Sequence, residues 1–93
     1  MKNIETYESV WDAISNTPGE AANSKAKSEL MHKLLQLINQ HQWTQAIAAK
    51  HCGLTQPRLN DLLKGRISRF SLDALVNIAA ALGQKIHIEL EAA

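Results

Sequence analysis

Gly53-Leu54-Thr55 is the feature that most constrains this chain, because it joins two segments that are each bounded like a helix and each too short to stand alone. Thr44 precedes residues 45–52, Thr55 precedes residues 56–64, and glycine follows both, as Gly53 and Gly65. A threonine at an N-cap accepts a hydrogen bond from the first turn, and a glycine past the last turn takes the left-handed conformation that closes a helix. The spacing therefore predicts two helices of about two turns meeting at a tight corner. Helices of this length are marginal in water, so each must bury an apolar face. Counting from Gln45, the fifth residue is Ala49, the ninth Gly53, the tenth Leu54, the fifteenth Leu59 and the eighteenth Leu62. Small side chains fall where two helices approach, glycine falls in the turn, and leucines lock the second helix inward, which are the demands of a helix-turn-helix.

The flanks extend this into one helical core, and 93 residues leave no room for a second. Ile4, Tyr7, Trp11 and Ile14 recur at helical spacing, with Ser9 and Asp12 as a capping box, which predicts a short helix within an N-terminal extension of residues 1–16. Thr17-Pro18-Gly19-Glu20 opens a long helix through about Gln42, with Ala26, Leu30, Leu34, Leu37 and Ile38 on its apolar face. Trp43 is placed to staple onto Ala48, and Leu54 onto Leu59. Ser71 caps a last helix with Leu75, Ile78, Ala79 and Leu82 inward and Gly83 at its end. After Gly83 the period changes: Ile86, Ile88 and Leu90 alternate with Lys85, His87, Glu89 and Glu91, the pattern of a half-buried strand. The expectation is an all-α fold of five helices, its helix-turn-helix domain spanning residues 17–83, followed by one C-terminal β-strand and tail in residues 84–93.

The net charge of +1 conceals a dipolar layout. Residues 44–69 carry Lys50, Arg58, Lys64, Arg66 and Arg69 against Asp61 alone, a net +4, whereas residues 1–20 are at −3 and residues 70–93 at −2. A basic centre between acidic ends suits a polyanion face better than a membrane surface. No stretch reaches the roughly 18 apolar residues of a membrane span, and acidic residues occupy the N-terminus where a signal peptide has an apolar run. Cys52 is the only cysteine, which excludes an intrachain disulfide and points to the cytoplasm. Cys52 and the four histidines lack the paired spacing of a metal site, and no phosphate loop, nucleophile elbow or carboxylate pair points to an enzyme or a cofactor. Cys52 reads as a small core residue, and His32, His41, His51 and His87 as surface residues.

The run Thr44-Gln45-Ala46-Ile47-Ala48-Ala49, continued by residues 53–65, resembles the XRE, or phage-repressor-like, class of helix-turn-helix regulators. The Phe70-Ser71-Leu72-Asp73-Ala74-Leu75 continuation and the N-terminal extension resemble, within that class, the host-inhibition-of-growth (Hig) type antitoxins. Trp43 and Pro57 depart from the common pattern; a proline in the first turn costs no intrahelical bond. The resemblance implies a repressor, with a small RelE-like ribonuclease toxin as partner and double-stranded operator DNA as ligand; without a toxin, the same pattern reads as a stand-alone XRE regulator. In this docking mode the second helix of the motif enters the major groove, which makes Gln56, Pro57, Arg58, Asn60 and Asp61 candidates for base edges and nearby phosphates. Gln56 suits adenine, Arg58 suits guanine or a phosphate, and the Pro57 ring suits a thymine methyl. Gln45 and Thr55, at helix N-termini, suit phosphate, and Lys64, Arg66 and Arg69 suit the DNA backbone beyond the groove. The lone strand needs a partner, so Ile86, Ile88 and Leu90 are expected to pair across a two-fold axis in a homodimer, with recognition helices roughly 34 Å apart. With no ligand-binding domain after the motif, no small-molecule ligand is expected.

Overall fold

A computed structural model describes residues 17–92 of the chain. Among these residues the protein is entirely helical: α1 is Pro18–His41, α2 is Gln45–Cys52, α3 is Gln56–Leu63 and α4 is Leu72–Ala81, with a 3-10 turn at Ile67–Arg69. All four helices start on the hydroxyl the sequence offers. Thr17, Thr44, Thr55 and Ser71 each accept from the backbone N–H three residues on, at 3.0, 3.3, 3.3 and 3.1 Å. Three of the four ends are glycine-closed. Leu54 N–H donates to Ala49 and Gly53 N–H to Lys50; Arg66 donates to Asp61 and Gly65 to Leu62; Gln84 donates to Ala79 and Gly83 to Ala80. This doubled pattern satisfies the carbonyls that a helix C-terminus otherwise leaves unpaired.

The core gathers Met31, Leu34 and Ile38 from α1, Ala48, Ala49 and Cys52 from α2, Leu59 and Leu62 from α3, Phe70, and Leu75, Ile78 and Ala79 from α4. No polar or charged side chain is buried with them among the described residues. The alanines of α2 let α3 approach closely, so α2 and α3 form the corner, while α1 lies mainly along α4. The face expected on α1 is shorter than predicted: Ala26 is exposed and nothing in residues 18–29 is buried, so the helix engages the core only from Leu30 onward.

Two expectations are corrected. The fold has four α-helices and a 3-10 turn among the described residues, not five helices; the short helix expected around Ile4, Tyr7, Trp11 and Ile14 falls outside them. Residues 84–92 contain no β-strand, and Ile86, Ile88 and Leu90 are exposed. Alternation supplies an apolar side to an extended segment but no ladder, and no second strand among the described residues offers backbone groups to it.

Candidate nucleic-acid interface

The motif presents α3 outward by its first turn. Thr55 caps it, Gln56 and Pro57 follow at its first two positions, and all three are exposed. Leu59 and Leu62 point the opposite way and are fully buried, which fixes the rotation of the helix about its axis. Gln56, Asn60 and Lys64 recur every four residues and so form one outward stripe, half-buried only at Asn60. Gln45 is exposed at the start of α2, where its helix N-terminus favours an anion. The structure thus brings Gln45, Thr55, Gln56, Pro57, Asn60 and Lys64 to the solvent side of the corner.

Arg58 and Asp61 are placed differently from a free base reader. Arg58 Nη1 donates to the carbonyl of Arg69 at 2.8 Å, and its guanidinium lies 4.3 Å from the centroid of the Phe70 ring. A cation over an aromatic face contributes about 0.5–1 kcal/mol at such a site. Arg58 therefore ties α3 to the loop that follows it. Asp61 accepts from Arg66 Nη1 at 2.9 Å through Oδ1 and from Arg69 Nη1 at 3.3 and 3.4 Å through both oxygens. Its partial desolvation pushes the pKa up, but hydrogen bonds from Arg66 and Arg69 and their charges outweigh this and hold the carboxyl below its ordinary value. A depressed folded-state pKa means that the pairing stabilises the protein above the ordinary carboxyl pKa and that this contribution is lost as pH falls below it.

Two features had little signal in the sequence. Phe70, directly before the Ser71 cap of α4, is buried and also serves as the seat for Arg58. Trp43 lies between two imidazoles, stacked on His41 at 4.0 Å and on His51 at 4.1 Å between ring centroids. Those three residues sit on either side of a helix break, so no single periodicity aligns them. Cys52 is buried in the core, and burial pushes its thiol pKa up, which makes it a poor nucleophile. No described helix is long and apolar enough to cross a membrane.

No curated protein matches the chain. The helix-turn-helix domain family matches residues 15–91, which takes in every helix described above and the segment that follows them. With the corner, its caps and its outward α3 in place, the chain belongs to the helix-turn-helix domain family and carries a DNA-binding domain of that kind.

Proposed function

We propose that the protein is a sequence-specific transcriptional repressor of the XRE class that binds operator DNA by laying the first turn of α3 in the major groove. The observation that carries this reading is the exposed stripe Gln56, Asn60 and Lys64, set on a helix whose opposite side is locked by Leu59 and Leu62. Gln56 is the adenine reader, the Pro57 ring meets a thymine methyl, and Asn60 reads the next step. Gln45 and Thr55 hold phosphates at helix N-termini, while Lys64, Arg66 and Arg69 hold the backbone beyond the groove. Arg58 acts from behind, by fixing the loop that carries the arginines.

Within this proposal the protein is the antitoxin of a toxin-antitoxin pair, repressing its own operon; the Phe70–Leu75 resemblance supports this over a stand-alone regulator. It works as a homodimer on a pseudo-palindromic site, and the exposed Ile86, Ile88 and Leu90 are its apolar contact with a partner. Three such side chains projecting at 42%, 78% and 96% exposure are costly to leave in water together. A mobility-shift titration on the DNA upstream of the gene tests the proposal, with and without the product of any adjacent short reading frame. Binding of that DNA over a scrambled duplex, strengthened by the neighbouring product, is the expected result; equal binding to both duplexes overturns specific repression.

A further inference from the structure

Asp61 is the only acidic residue in the basic stretch 44–69, and the structure places it under two arginines from the next loop. The Asp61 side chain is 13% exposed, while those of Arg66 and Arg69 remain 43% and 57% exposed. Each arginine reaches Asp61 through Nη1 alone. A guanidinium carries five N–H donors, so the outer edges of both groups stay open to a second anion. Two like charges do not gather unaided; here Oδ1 accepts from both and holds them side by side.

We propose that Asp61 is a positioning residue that assembles Arg66 and Arg69 into a two-pronged clamp for a DNA phosphodiester, and does not itself read a base. The inference rests on the DNA-binding reading above. Asp61 belongs to α3, so a clamp built on it has a fixed position relative to the recognition helix. A phosphate held there sets the register at which Gln56 and Asn60 meet the bases. The backbone reinforces this: Arg66 N–H donates to the Asp61 carbonyl at 3.0 Å, and Arg58 holds the Arg69 carbonyl from the other side. Both arginines thus enter the site on a short, doubly anchored loop and lose little conformational freedom on binding.

Charge counting alone gives the opposite expectation, because Asp61→Asn makes the chain one unit more positive. The test is fluorescence anisotropy of the full chain with a labelled mixed-sequence duplex of about 20 bp, titrated over a range of NaCl concentrations. Asp61→Asn is expected to bind about three- to tenfold more weakly than wild type, with a salt slope shallower by about one, the share of a single phosphate contact. Glu29→Gln, an exposed change on α1 with the same charge increment, leaves binding unweakened, and Asp61→Glu restores most of the loss. Arg66→Ala costs less in the Asp61→Asn background than in wild type, which a purely structural role for Asp61 does not produce. Circular dichroism verifies that each variant keeps its helices. If Asp61→Asn does not fold, Arg66→Ala, Arg69→Ala and the double variant carry the test: one shared phosphate makes the double loss close to either single loss, and additive losses overturn the clamp. Equal or tighter binding by folded Asp61→Asn also overturns it, with the DNA reading intact. A wild-type chain that binds no duplex overturns both.

Discussion

Residues 56–63 and residues 84–92 both carry apolar side chains at a regular interval, and only the first become an element. In α3, Leu59 and Leu62 reach full burial, a threonine hydroxyl satisfies the first turn, and a glycine closes the last. In the C-terminal segment, Ile88 and Leu90 are 78% and 96% exposed and no ladder forms. The difference lies in where the backbone bonds go. A capped helix finds the partners of its N–H and C=O groups within a few residues along the chain, so a local pattern locates it once its apolar side is buried. A strand borrows its partners from elsewhere, so period-two alternation announces a willingness to pair and names no partner.

The largest break in that comparison comes from the buried side of α3. Leu59→Ala removes a fully buried side chain of α3 from the shared core and leaves a cavity that the alanine-rich corner cannot close, at a cost of about 3 kcal/mol. Urea denaturation monitored by circular dichroism reads it as a lower midpoint with an unchanged slope. A loss under about 1 kcal/mol shows that α3 is not held by its inner leucines.

The turn gives the next effect. Gly53 has φ +71°, and a Cβ built there meets no atom within 4 Å, so Gly53→Ala tests backbone strain with no steric clash. About 1–2 kcal/mol of destabilisation follows from the left-handed conformation alone. Gln42 is the mirror case. It closes α1 at φ 54° without being glycine, so Gln42→Gly is expected to stabilise by about 0.5–1 kcal/mol on the same denaturation curve. Equal responses at both positions show that φ is not what distinguishes them.

These positions also mark what the sequence made legible. The caps at Thr17, Thr44, Thr55 and Ser71 and the closures at Gly53, Gly65 and Gly83 are local chemistry, and each lies within a residue of where it is read from the chain. Gln42 carries no such signal, because nothing in a glutamine requests the left-handed region. The apolar face of α1 begins one turn later than its spacing predicts: Ala26 has the right spacing but is exposed, because spacing does not tell how far α4 extends to cover it. At the interface, the sequence gives Arg58 and Asp61 as polar residues on the outward side of α3. Their engagement with Phe70, Arg66 and Arg69 depends on a 3-10 turn that folds the loop back over the helix, and separations of five to twelve residues outside any regular element carry no period.

The smallest effect on folding is expected where the alternation led to no strand, and it separates two roles for that segment. Leu90→Ser changes a side chain that is 96% exposed, so a chain folding alone loses no more than about 0.5 kcal/mol. If instead Leu90 is covered in a homodimer, the same substitution weakens a bimolecular contact, and its cost grows as protein concentration rises above the dimer dissociation constant. Thermal melts at two concentrations about a hundredfold apart, with light-scattering mass at each, tell these apart. The dimer reading expects a wild-type melting temperature that rises with concentration and a Leu90→Ser temperature that does not. Parallel melts and monomer mass for both proteins leave Ile86, Ile88 and Leu90 without a second copy to meet, and the two recognition helices without a fixed spacing on DNA.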